Sequence, residues 1–363
     1  MSSDVGLSWS ALDTPALWTD LDKTERNIAS LAAHFKRAGV NWRPHTKGIK
    51  VPALAHKLLR AGAIGLTCAK VSEAEVMAQA GVTDILVANQ IVTPTKITRL
   101  VNLRASCDVK VCVDNADNVA ALAAAAQARG VTLGVLVELN TGMERSGVLP
   151  GAPALALARR VHEARGLRLA GLMTWEGHNL AFSDPAEKRR GIEASIAQLL
   201  DTVARCRAEG LPIDIVSAGG SGTYTITSGI AGVTEIEAGG GIFCDLNYQS
   251  WGVELEPSLF VKSTVTSRPA PGRIILDAGF KTLPRGFISA RVMGVDGVTS
   301  IVHSAEHGIV TLDRDNATLK VGDAVDLMVG YSDATVFAHD TLYGMRGGIV
   351  EAAWPVLGRG KLQ

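Results

Sequence analysis

At 363 residues the chain is too long for one small core, and its length sets the expectation of a large α/β unit with an appended second domain. Its 36 basic and 36 acidic side chains cancel, which leaves no electrostatic footprint for nucleic acid or an anionic membrane and points to a small-molecule partner. Met1-Ser2-Ser3-Asp4-Val5 is not a basic stretch leading into apolar residues, and no apolar run is long enough to span a bilayer, so the expected location is cytoplasmic.

In chain order, short apolar runs alternate with amphipathic helical stretches from residue 20 to about 245, the pattern of βα units and a parallel sheet. Strands are expected at 15–20, 41–46, 65–69, 84–89, 109–113, 132–139, 167–174, 213–218 and 234–238. The Ala/Val/Leu/Gln-rich stretch from Ala116 to Arg129 reads as a helix, and Asp184-Pro185 opens another with proline in its first turn. Nine strands are one too many for a (β/α)8 barrel of the TIM type, but the first, Ala16 to Asp20, can cross over to pair with the C-terminal region. After Asp245 the helical period stops, and Val/Ile/Thr-rich runs at 259–267, 273–277, 287–294, 308–312 and 323–329 predict an antiparallel β domain. The expected division is a barrel over 21–248 and a β domain over 249–363 that also takes in residues 1–20. Cys68, Cys107, Cys112, Cys206 and Cys244 form no C-x-x-C pair and read as reduced core thiols.

Barrel enzymes place their chemistry at the C-terminal ends of the strands. There the sequence puts Arg43-Pro44-His45-Thr46-Lys47, Asn140 to Gly147 with Arg145, Trp175-Glu176-Gly177-His178, Ala218-Gly219-Gly220-Ser221-Gly222-Thr223 and Ala238-Gly239-Gly240-Gly241. Glycine-rich turns after the last two barrel strands suit a phosphate, because backbone N–H groups approach its oxygens closely. A lysine facing them across the mouth suits an aldehyde cofactor, and pyridoxal phosphate (PLP) supplies both halves. On this reading Gly220, Ser221, Gly222, Thr223, Gly239 and Gly240 hold the cofactor. Arg145 gives a fixed positive charge beside it. In a strand His45 and Lys47 would share a side, and His45 is expected to orient cofactor or substrate. His178 is a candidate acid or base.

These residues resemble a known family, the fold-type III PLP enzymes, and within it the D-threonine aldolase and D-serine dehydratase group. Arg43-Pro44-His45-Thr46-Lys47-Gly48-Ile49-Lys50 is similar to that group's R-P-H-x-K-x-x-K segment, whose first lysine carries the cofactor, so the resemblance assigns that role to Lys47. Gly142 to Gly147 resembles the family's arginine turn, and Gly219 to Thr223 its phosphate turn. The likeness continues through Cys68 to Glu75, Ile275 to Gly279, Glu306-His307-Gly308 and Trp354 to Gly360. It implies an alanine-racemase-type barrel, a homodimer, and cleavage of a D-3-hydroxy amino acid of the D-threonine or 3-hydroxy-D-aspartate type. The products would be glycine, or a related amino acid, and an aldehyde. The alternatives are a dehydratase giving a 2-oxo acid and ammonia, and a racemase using Lys47 and Tyr331 on opposite faces.

One departure concerns metal. The group supplies a divalent-metal site through His-x-Asp or His-x-Cys, and here the matching stretch is Tyr331-Ser332-Asp333. A phenol is a poor ligand for Mg²⁺ or Mn²⁺. That leaves three possibilities: an oxygen-only site on Asp333 with waters, His339 or Asp340; a metal-free site in which Tyr331 hydrogen-bonds the substrate's 3-hydroxyl; or a different reaction.

Overall fold

A computed structural model describes residues 4–284 and 286–363. It divides into two compact units, one of Met1–Ser30, Gly48–Ala53 and Gly240–Gly360, the other of Leu31–Lys47, Leu54–Gly239 and Lys361–Gln363.

Strand β1 (Ala16–Asp20) and the first turns of helix α1 (Leu21–Ala38) belong to the first unit. The second unit then alternates β2 (Asn41–Trp42), α2 (Pro52–Arg60), β3 (Leu66–Cys68), α3 (Val71–Gln79), β4 (Asp84–Gln90), α4 (Pro94–Leu103), β5 (Asp108–Val113), α5 (Ala116–Arg129), β6 (Leu133–Leu139), α6 (Ala152–Glu163), β7 (Leu167–Thr174), α7 (Pro185–Ala208), β8 (Ile215–Ala218), α8 (Tyr224–Thr227) and β9 (Glu235–Ile236). Strands β2 to β9 make one parallel sheet in the order β2-β9-β8-β7-β6-β5-β4-β3. A bridge between His45 and Thr67 ties its two ends together, so the sheet closes into the expected eight-stranded barrel. Two capping rules are met in the helices: Asn115 accepts the N–H groups of Asp117 and Asn118 to start α5, and Gly130 ends it in the left-handed region. Leu86, Cys112, Leu136, Ala170 and Met173 pack together as an apolar layer inside the barrel. All five cysteines are buried and reduced, as expected.

The other unit adds α9 (Leu246–Ser250), β10 (Leu259–Ala270), β11 (Arg273–Leu276), β12 (Arg291–Val292), β13 (Val298–His303), β14 (Gly308–Leu312), β15 (Ala324–Met328), α10 (Ser332–Ala338), β16 (Thr341–Arg346) and β17 (Ile349–Pro355). Its sheet runs β13-β14-β11-β10-β1-β16-β17, with β15 bridging β10 and β12. Every pairing is antiparallel except β1 with β16. Strand β1 pairs with β10, so the crossover of the first strand into the C-terminal region is as the sequence implies.

Two expectations change. The predicted 287–294 strand shrinks to Arg291–Val292, because Gly294 turns the chain at φ 68° and Phe287 stands 82% exposed. Strands β13, β16 and β17 were not foreseen. The last two form a hairpin over Gly347-Gly348, both at positive φ, the conformation glycine pairs supply to tight hairpins. Among the described residues no helix is long and apolar enough to cross a membrane.

Candidate functional site

In the barrel unit, every sequence-predicted barrel residue of the site stands at the C-terminal end of a strand, on one rim. The strand alternation used to align His45 with Lys47 does not hold. The β2 backbone stays paired as far as His45, whose N–H donates to the Glu237 carbonyl at 3.1 Å, but Lys47 sits beyond it in a short 3-10 turn, Thr46–Gly48. The two residues are joined differently: the Lys47 N–H donates to His45 Nδ1 at 3.2 Å. His45 therefore keeps its proton on Nε2. Lys47 is exposed and His45 half-buried. Thr46 between them is buried and donates to the Thr67 carbonyl at 3.0 Å, which fixes the turn to the next strand.

Arg43, in the same motif, points the other way, to the N-terminal ends of the strands. Its guanidinium meets Asp84 at 2.6 Å and Glu235 at 3.1 Å, and Lys110 meets Asp84 and Asp108, each at 2.8 Å. Burial opposes the charge on Arg43, yet the two carboxylates more than reverse this and raise its pKa.

The turn after β8 is built on close approaches. Gly219 has φ 73°, a left-handed conformation suited to glycine. A Cβ on Gly220 would lie 2.7 Å from the Trp175 ring. The Gly220 N–H donates to the Thr223 hydroxyl at 3.1 Å, and Ser221 and Thr223 are buried. A Cβ on Gly239 would strike the main-chain oxygen of His45, so that turn presses against the Lys47 segment. Such glycine-shaped backbone is the form a phosphate cradle takes. The residues present in the barrel fit PLP.

Asn140 to Gly147 is also well held. Asn140 Oδ1 accepts the N–H groups of Gly142 and Glu144, both at 3.1 Å, and Gly147 N–H reaches Asp114 at 3.0 Å. Arg145 rises from this turn half-exposed, 3.6 Å from Glu138. His178 packs on Gly142, where a Cβ would be 2.8 Å from its Nε2, and its buried Nδ1 has no hydrogen-bond partner. Deeper in, Glu237 accepts from the Ser217 hydroxyl at 3.0 Å, and burial, with Glu235 nearby, pushes its carboxyl up to about 8.

The other unit holds Tyr331 and Asp333. The Tyr331 hydroxyl donates to Asp333 at 2.8 Å. Burial, followed by the charge of Asp333, raises the pKa of the phenol. A Cβ on Gly48, the residue after Lys47, would run into the Asp333 carboxylate. Gly240 is similarly closed by the Tyr248 hydroxyl. Asp245 accepts the N–H groups of Asn247 and Tyr248 at 3.0 Å and of Ser332 at 2.6 Å, while burial lifts its pKa to about 6. His339 faces the Thr282 carbonyl at 2.9 Å, and Asp340 is ion-paired with Arg359. Among the described residues no three His, Cys, Asp or Glu side chains group to hold a metal ion. An oxygen-only site drawing His339 and Asp340 to Asp333 is therefore not assembled. His307 is exposed in a surface turn, and the neighbouring Gly308 and Gly279 explain that segment by close backbone packing.

The sequence places Glu176 at the rim beside His178 but assigns it no role; it is fully buried two residues past the end of β7. Its signal was a carboxylate directly following the apolar strand Leu167–Thr174 and Trp175.

Residues 19–246 match the family model of the alanine racemase N-terminal domain, and 258–345 match the serine dehydratase domain. The chain is 36% identical over 369 residues to the 3-hydroxy-D-aspartate aldolase of Paracoccus denitrificans strain Pd 1222, covering 98% of this chain and 94% of that one. The crystal structure of D-threonine aldolase from Filomicrobium marinum superposes with a TM-score of 0.97 at 36% identity, covering 100% of each chain. The D-threo-3-hydroxyaspartate dehydratase from Delftia sp. HT23 gives a TM-score of 0.88 at 30% identity, over 97% of this chain and 99% of that one.

Proposed function

Since the chain belongs to the alanine racemase N-terminal domain family of PLP enzymes, with a serine-dehydratase-type second domain, we propose that it is a carbon–carbon lyase cleaving a D-3-hydroxy amino acid. The substrate is of the D-threonine or 3-hydroxy-D-aspartate type, and the products are glycine or a related amino acid and an aldehyde. The observation that carries this reading is the 36% identity, end to end, with a 3-hydroxy-D-aspartate aldolase and a D-threonine aldolase.

When bound, PLP would supply an electron sink for the bonds at the substrate's Cα. Lys47 would carry the cofactor through its amine. The Gly220-Ser221-Gly222-Thr223 turn, with Gly239 and Gly240, would hold the phosphate, and Arg145 would supply a fixed positive charge to the cofactor. His45, oriented through its bond to the Lys47 N–H, aligns the reacting group. His178 offers its unpartnered Nδ1 as the base that removes the 3-hydroxyl proton as the Cα–Cβ bond breaks. In the other unit Tyr331 stays protonated, its single hydroxyl hydrogen donated to Asp333, and a hydrogen bond from it to a substrate oxygen would take that proton from Asp333. Among the described residues, the donors around Asp333 do not fit a divalent metal. The active form is a cytoplasmic homodimer; a monomer at micromolar concentration in sedimentation would count against the pairing.

The dehydratase is the second reading, favoured by the match of 258–345. To separate the two, the PLP-loaded protein is incubated with D-threonine, D-phenylserine, 3-hydroxy-D-aspartate and D-serine, in EDTA and then with Mn²⁺. Products are identified by mass spectrometry. Glycine with an aldehyde is expected. A 2-oxo acid with ammonia would replace the proposal by the dehydratase, and inverted amino acid alone by a racemase.

A further inference from the structure

We propose that Glu176 is a positioning residue that pre-forms the phosphate turn, so that removing it weakens binding of the phosphorylated cofactor but not of the same aldehyde without phosphate. The inference rests on the reading of Gly219 to Thr223 as the phosphate turn.

Glu176 is fully buried, and both of its carboxylate oxygens are engaged on that turn and the helix behind it. One accepts the Gly219 N–H at 3.1 Å, the other the Thr227 hydroxyl at 2.7 Å. The first bond satisfies a backbone donor where the chain adopts φ 73°, and the second anchors α8, into which the turn runs. The main chain at Glu176 is itself held from behind. The Glu176 carbonyl accepts the Asn179 backbone N–H at 3.1 Å and its side-chain amide at 2.9 Å. A Cβ on Gly191 would collide with the other end of that amide. Trp175, the preceding residue, fills the space over Gly220. The end of β7 thus braces the turn after β8 at two successive residues.

Claiming the Gly219 N–H has a directional effect. That donor points back into the protein, and the Gly220 N–H is spent on Thr223, so the anion meets the stretch beyond them. Without the Glu176 acceptor the Gly219 N–H is left buried and unpaired. An unpaired buried donor is costly, and the turn relieves it by rotating away from its phosphate-ready shape.

The test compares PLP with pyridoxal, which has the same aldehyde and no phosphate, by absorbance titration of the full-length apoprotein. Wild type is expected to bind PLP far more tightly than pyridoxal. Glu176→Met keeps the bulk without an acceptor and is expected to shrink that preference by about tenfold or more, entirely through PLP. Glu176→Gln retains an oxygen for Gly219 and an N–H₂ for the Thr227 hydroxyl, and is expected to restore it. Should Glu176→Met fail to fold, Thr227→Val removes one of the two bonds and is expected to give a smaller shift of the same sign. An unchanged preference in the folded variant overturns the role of Glu176, as does an equal loss of both ligands. Absence of any preference in wild type overturns instead the phosphate-turn reading beneath it.

Discussion

The two ends of the barrel treat their polar groups in opposite ways. At the N-terminal end Arg43 and Lys110 are set directly against Asp84, Asp108 and Glu235, charge to charge, and Arg43 keeps 2% of its side-chain surface. At the C-terminal rim the anchored groups are mostly bonded to main chain: Glu176 to Gly219, Asn140 to Gly142 and Glu144, His45 to Lys47. Lys47 and Arg145 remain exposed there, and His178 Nδ1 stays unpartnered. Buried pairs matched this closely consume their charge in one another and serve structure. A rim whose side chains shape backbone and leave other polar groups exposed or unpartnered is organised for a ligand.

That contrast is broken or sharpened by substitution. Lys47→Ala carries the largest expected effect: activity falls by about a thousandfold or more, while stability by urea unfolding stays within about 0.5 kcal/mol. A large loss of stability would move Lys47 to the structural side. Arg43→Met has the reverse profile, costing roughly 3–5 kcal/mol because the buried Glu235 carboxylate loses its partner, with the PLP-over-pyridoxal preference unchanged.

Next comes Glu237, between the two ends. Its folded pKa of about 8 lies above the ordinary carboxyl value. The folded state therefore holds a proton that the unfolded chain releases, and stability falls as pH rises from about 4.5 to about 8. Glu237→Gln is expected to stabilise the protein by a few kcal/mol at pH 9 and not at pH 4; equal effects at both would place the carboxyl in a solvated setting. The smallest effect lies in the other unit. Tyr331→His should give measurable Mn²⁺ uptake in equilibrium dialysis where wild type shows little, and no change would remove Tyr331 from the proposed site.

The barrel was legible because parallel strands bury both faces and write continuous apolar runs, such as the wholly buried Leu133–Leu139. The crossover of Ala16–Asp20 was legible by counting, since one strand exceeded eight. The β unit was less so: Val298–His303 carries exposed Thr299 and Ser300 on a half-solvated strand, and its apolar signal is correspondingly thin. At the rim, glycines and a lysine stood out because their positions after strands are informative. Arg43 and Glu176 did not, because direction decides their roles. Two residues of one five-residue motif, Arg43 and Lys47, face opposite ends of the barrel, and a buried carboxylate shows its purpose only when its two acceptors are seen.

The central claim, that Lys47 carries the cofactor of this lyase, is tested most directly by reducing the PLP-loaded protein with borohydride, digesting it and mapping the modified lysine by mass spectrometry. The account predicts a single labelled site at Lys47. Label on Lys50, Lys70 or another lysine, with Lys47 unmodified, would contradict it.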